Sequence, residues 1–232
     1  LHALVNRCHT LGARIRPDHR VIDIEKSPEA GFILQHSHGT LHAKKVILAT
    51  GGRSIPKSGS DGFGYDLARR LGHHVTATVP ALVPLMLDDR MFHKTLSGLS
   101  QEVELTMVVK GRVLDRRTGS MLWTHFGVSG PVIMDASRFW TLGRDQGEPV
   151  EVSVNFLPGQ TQEQAKSWLM EQAANNPRRS LLKTWAQQIP GRFAEALCSH
   201  VECDPKTAVA QLSRIGRDRL LVHGAARILV PF

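Results

Sequence analysis

Apolar and polar positions along this chain change period several times, and each change marks an element. Leu4, Val5, Cys8 and Leu11 recur at helical spacing before Gly12, which predicts an opening helix over residues 2–11. The period then drops to two. "RVIDIEK", "FILQHS" and "TLHAKKVILAT" read as strands, the last two flanking a His38-Gly39 turn. The third ends in a continuous apolar run, Val46 to Ala49, which predicts a strand buried on both faces that stops at Gly51-Gly52. Beyond a glycine-rich turn, Gly59 to Gly64, the residues Phe63, Leu67, Ala68 and Leu71 share one face of a short helix ending near Gly72.

The prolines of "PALVPLML" predict an extended connection over 80–87. Val103, Leu105, Met107 and Val109 alternate, as do Val150, Val152, Val154 and Phe156, so residues 102–156, with "GSMLWTHFGVSGPVIMDAS" between them, read as a mostly β unit. From Thr161 the spacing is helical. Ala165, Trp168 and Leu169 form one face, Leu181, Leu182, Trp185, Ala186 and Ile189 a second, and Phe193, Ala196 and Leu197 a third. Asp204-Pro205 predicts a helix start ahead of Val209, Leu212 and Ile215, and a last helix is expected to carry Leu220, Leu221, Ile228 and Leu229.

Composition narrows the classes. The 232 residues are 41% hydrophobic and 22% charged, enough for one large domain or two small ones around a real core. No apolar stretch approaches the roughly 18 residues of a membrane span, and the opening residues lack a signal-peptide pattern. Cys8, Cys198 and Cys203 form an odd set without a CxxC, so reduced thiols and a cytoplasmic setting are expected. The chain opens on Leu1, which reads as a piece of something longer. The net charge of +8 suits nucleic acid, an acidic partner or a phosphate-bearing ligand. The basic residues are scattered and only 6% of residues are aromatic, which makes nucleic acid the lesser expectation.

Chemistry concentrates where the apolar run meets its glycines. Ligands of α/β sheets lie beyond the carboxyl ends of strands, and Ala49, Thr50, Gly51 and Gly52 occupy that position, followed by a helix N-terminus with free amides. A tight turn with its own cap explains the same residues without a ligand. His125 in "WTHFGVSGP" is the one catalytic candidate, able to donate to a carbonyl or exchange a proton, although a turn at Ser129-Gly130-Pro131 accounts for the segment structurally. His36, His38 and His42 are interrupted by the Gly39 turn and lack zinc-site spacing, so no metal site is expected.

Taken together, "ATGGRSIPKSGSDGFGYDLARRLGHHV", "PALVPL" and "THFGVSGPVIMDASR" resemble the middle of a family of bacterial FAD-dependent oxidoreductases, the aminoacetone-oxidase-like or bile-acid-reductase (BaiN)-like flavoproteins, distantly related to the fumarate reductase flavoprotein. The resemblance implies an α/β fold: a partial, split, Rossmann-like FAD-binding domain carrying an inserted mostly-β, barrel-like unit and a helical subdomain. Its boundaries here would be 1–80 for the FAD-domain part, 81–160 for the β insert and 161–232 for the helical part. It implies FAD as cofactor, with NAD(P)H as a candidate electron donor, and a small-molecule substrate that gains or loses hydride. Ala49, Thr50, Gly51 and Gly52 would lie against the FAD, and Val21 would meet the adenine through its backbone.

The pattern departs from the family in three places. The sequence has no GxGxxG, Ile55 stands where an aromatic is usual, and Phe63 stands where an acid is usual, with Asp61 two residues earlier. The 232 residues alone are therefore expected to be inactive. The competing expectation is a basic, non-enzymatic binding module for nucleic acid or an acidic protein. A homo-oligomer built through the helical tail is a third.

Overall fold

A computed structural model describes residues 1–29, 31–89, 91–224 and 227–228. The chain divides into two compact units, 1–78 and 79–232.

In the first unit, α1 (His2–Thr10) ends at Leu11 and the chain turns at Gly12, as the spacing predicts. No residue of α1 is buried, and Leu4 and Leu11 are exposed. Strands β1 (Val21–Ser27), β2 (Gly31–His36) and β3 (Gly39–Ala43) form an antiparallel sheet in that order, with the turn after His36 setting the β2–β3 register. Helix α2 (Phe63–Arg70) follows the glycine-rich turn and buries Gly64 and Leu67.

The strand expected over Val46 to Ala49 is absent. Residues 45–52 have no regular structure, Ile47 is 89% exposed and Leu48 40%. A two-face-buried strand requires hydrogen-bonded neighbours, and none of the described strands pairs with this run.

The second unit is built on a six-stranded antiparallel sheet that curls into a half barrel, in the order β4-β7-β6-β5-β8-β9. Its strands are β4 (Leu85–Met86), β5 (Ser100–Val109), β6 (Arg112–Thr124), β7 (Gly127–Ser129), β8 (Val150–Asn155) and β9 (Arg227–Ile228). Alternation dictates the inner face. Val103, Leu105, Met107, Met121, Trp123, Val150, Val152 and Val154 are all buried there.

The expected β unit is interrupted by α3 (Pro131–Asp145). Gly130 turns the chain at φ 92°, Pro131 sits at the first helical position with φ pre-set, and Val132, Ile133 and Ala136 then fall on the core side. Gly127, at φ 156°, lets β4 approach closely, since a Cβ there would lie 2.2 Å from the Leu85 carbonyl oxygen. "WTHFGVSGP" is thus the hairpin and helix start that join sheet to α3.

Helix α4 (Gln162–Asn175) opens on a capping box between Thr161 and Gln164. It is followed by α5 (Leu181–Trp185), α6 (Gly191–His200) and α7 (Arg214–Gly224). Asp204-Pro205 does not start a helix. Asp204 accepts the Lys206 N–H through its side chain (2.9 Å), and the carbonyls of Pro205 and Thr207 accept the N–H groups of Leu182 and Leu181. The backbone that an α-helix would need is thereby committed to α5; a short 3-10 turn, Val209–Gln211, stands in its place, and Ile215 falls in α7. Ile228, expected in a helix, lies in β9 opposite Val152, while Leu229 lies outside the described residues.

One core runs through this unit. Trp123 of β6, Phe156 after β8 and Phe193 of α6 have ring centroids 4.4–5.9 Å apart, and Phe92 packs on Trp123 and Phe193. Sheet and helices share this aromatic cluster, and the buried core extends from Leu85 to Leu221.

Candidate functional site

Within the first unit, the cleft of interest lies beside β1. It has a volume of about 350 Å³ and brings together Val21, Ala49 and Thr50, which lie at separated points of the sequence. Ile24, Leu34, Val46 and Leu48 supply apolar lining, and Leu67 and Phe63 of α2 close another side. Such a lining excludes water from a flat ring, while a few polar groups fix its orientation.

Two local devices keep the cleft open. Gly64 packs on Thr50 so closely that a Cβ would stand 1.9 Å from Thr50 Oγ1 and 3.0 Å from its Cβ, so only glycine lets α2 carry Thr50 in this position. The edge of β1 is the other device. Arg20 accepts the Ser37 N–H on its carbonyl (2.9 Å) and gives its own N–H to Ser37 Oγ (3.3 Å). Strand alternation then turns the N–H and C=O of Val21 to the open side, since β1 is an edge strand.

The rim is charged. Arg20 pairs with Asp61 at 2.7 Å, and Asp61 Oδ1 accepts the Phe63 N–H at 3.0 Å, capping α2. The Arg20 guanidinium and the Phe63 amide together hold the Asp61 carboxyl below the usual carboxylate range. Arg20 and Arg70 both stand over the Phe63 ring, at 5.4 and 5.6 Å from its centroid.

Neither Gly51 nor Gly52 lines the cleft; Gly51 bends the chain at φ 73° beside Ser60, and Gly52 lies against the Tyr65 hydroxyl. His125 sits exposed at the β6–β7 turn, edge-on to Phe126. Sequence reasoning missed Arg20, Ile24, Leu34 and Leu67. The Arg20–Asp61 pair spans 41 residues, a separation that no local motif encodes.

The family is decided by a match that spans most of the second unit. The model of the HI0933-like protein barrel and H2TH domain matches residues 79–223. The chain belongs to the HI0933-like family. This family lies in the FAD-dependent oxidoreductase superfamily, in keeping with the half barrel followed by helices.

Over 199 residues this HI0933-like chain is 33% identical to the ribosomal RNA dihydrouridine synthase of Escherichia coli (strain K12), a match covering 84% of this chain and 46% of that protein. It is 35% identical over 137 residues to the 3-dehydro-bile acid delta(4,6)-reductase of Clostridium scindens (strain ATCC 35704 / DSM 5676 / VPI 13733 / 19), covering 59% of this chain and 33% of that protein. A third relative, the ribosomal RNA dihydrouridine synthase of Haemophilus influenzae (strain ATCC 51907 / DSM 11121 / KW20 / Rd), is 30% identical over 186 residues, 78% of this chain and 43% of that protein. The chain thus spans less than half the length of each of these relatives.

Proposed function

We propose that this chain forms the adenosine side of the cofactor site in an FAD-dependent oxidoreductase that reduces an RNA base. The observation that carries the cofactor reading is the meeting of Val21, Ala49 and Thr50 on one apolar cleft beside an open strand edge. Its 350 Å³ falls at the lower end of the roughly 300–1,000 Å³ of pre-formed small-molecule sites, a size suited to a nucleoside and not to a whole dinucleotide. In this reading the Val21 N–H and C=O pair with the edge of the purine, and the Thr50 hydroxyl meets the ribose. Ile24, Leu34 and Leu67 cover the ring faces. Bound FAD supplies the hydride-carrying capacity that no side chain has.

The chain's own contribution is binding, orientation and exclusion of water. The sequence contains no GxGxxG to hold a pyrophosphate, so the 232 residues by themselves are expected to bind adenine nucleotides weakly and to turn over no substrate.

Two of the three relatives carry names that denote reduction of an RNA base, and the +8 charge provides the electrostatic attraction such a substrate needs. That combination outweighs the scattered placement of the basic residues and the low aromatic content, which rank nucleic acid below the small-molecule substrate that the resemblance implies. Calorimetric titration of the chain with ADP tests the cofactor reading. Binding should appear and fall about tenfold in Gly64→Val, which pushes Thr50 into the cleft while leaving the far-ultraviolet spectrum unchanged. Absence of heat with both ADP and FAD would sink it.

A further inference from the structure

The first unit gathers three histidines that sequence spacing does not connect. His19 precedes β1, His36 ends β2 and His38 lies in the turn to β3, and each offers a ring nitrogen within 4.8 Å of those offered by the others. The His19 ring is stacked on His38 with centroids 4.6 Å apart and tilted against His36 at 4.9 Å.

The hydrogen bonds around them settle two of the three tautomers. His19 Nδ1 lies 2.7 Å from the Pro17 carbonyl oxygen, which can only accept, so Nδ1 carries the proton and Nε2 keeps its lone pair. Ser37 Oγ gives its one proton to the Asp18 carbonyl (2.9 Å), so its 2.9 Å contact with His38 Nδ1 has the histidine as donor. His38 Nε2 is therefore also a free lone pair. Imidazoles pinned through Nδ1–H to a carbonyl or hydroxyl, with Nε2 left to coordinate, are the supporting arrangement of metal-ligating histidines. His36 differs. Its Nδ1 accepts the His38 backbone N–H at 3.1 Å, a bond at an exposed turn that water can replace.

We propose that His19, His36 and His38 form a binding site for a divalent transition metal of the zinc class. Metal–nitrogen distances of about 2.0–2.1 Å require ligand atoms about 3.3 Å apart in a tetrahedral site, so nitrogens that lie within 4.8 Å of one another must draw together by up to about 1.5 Å. Two of the three residues lie at or beside an exposed turn, where that movement costs little. Arg14 and Arg16 line the cleft of about 390 Å³ that also holds His19 and His36. Their charge opposes a cation, which selects an ion bound strongly through nitrogen over the oxygen-preferring Mg²⁺ or Ca²⁺. The site belongs to the first unit and adjoins the cleft beside β1, with which it shares Val21 and Leu34.

Equilibrium dialysis of the 232-residue chain against Zn²⁺ in a non-chelating buffer tests this. A single tight ion per chain is expected, with His19→Gln and His38→Gln each weakening it by tenfold or more and His42→Gln leaving it unchanged. Ser37→Ala, which touches no ion, should weaken binding by about 10–100-fold by releasing the His38 tautomer. Co²⁺ in place of Zn²⁺ should give a visible spectrum of nitrogen ligation without a thiolate charge-transfer band, which separates the site from the cysteines. Unaltered uptake in the folded His19→Gln, His38→Gln double variant, or a thiolate band, would overturn the proposal. So would imidazole resonances of His19 and His36 that respond to inorganic phosphate and not to Zn²⁺.

Discussion

His93 and Cys198 show how burial decides what a reactive side chain can do. His93 is 1% exposed, and its desolvation, with the nearby Lys94 charge, holds its pKa below 6.5, so it is neutral in the folded protein. The unfolded chain binds more protons than the folded one between the depressed pKa and about 6.5, so stability is full above that window and falls as pH drops through it. Thermal unfolding should therefore weaken more steeply from pH 7 to 5 in the native sequence than in His93→Leu. A flat comparison would mean that His93 is not the group responsible. Cys198 is fully buried in α6 and burial pushes its thiol up to about 12, so almost no thiolate forms at neutral pH. Iodoacetamide at pH 7.5 should leave Cys198 unmodified until denaturant is added, as peptide mass mapping would show.

At the scale of elements, the aromatic cluster of Trp123, Phe156 and Phe193 fastens α6 to the half barrel. Trp123→Ala removes the largest member from a site with no exposed surface and should cost about 3–5 kcal/mol, read as a fall in the denaturation midpoint without loss of slope. Elements with a strong alternation or helical period were legible in the sequence. β5 and β8 follow their alternation and α2 and α4 their apolar stripes, whereas a bulge between Val21 and Asp23 breaks the alternation of β1 and leaves Ile22 exposed while Ile24 is buried.

What was not legible depends on distant partners. The run at Val46 has the composition of a buried strand, but strand formation depends on neighbours that composition does not specify. Asp204-Pro205 has a helix-start signature, yet α5 claims its carbonyls. The same limit applies to the candidate site. Ala49 and Thr50 stand out through their position before the glycines, whereas Arg20 and Leu67 reach the cleft only through folding.

For the molecule as a whole, the two units differ in how well they are filled. Between residues 1 and 78, Ile24 and Leu67 are the buried hydrophobic side chains among the described residues, whereas 79–232 carries a continuous core. The net charge of +8 acts over both. If RNA is the substrate class, affinity for a single-stranded oligonucleotide should fall linearly with salt on logarithmic axes, by about 0.7 for each phosphate neutralised. A salt-independent affinity, or none at low salt, would return the small-molecule reading to first place.

The unpaired run at 46–48 affects how the protein behaves in a concentrated solution. Ile47 and Leu48 present a short apolar segment with uncommitted backbone, the kind of template on which a second chain can add a strand. Lys44 and Lys45 immediately before it, and Arg53 shortly after, place like charges against like whenever two copies align there. The lysine pair is thus expected to act as a colloidal guard, and neutralising it to turn a cleft-lining segment into a seed for precipitation.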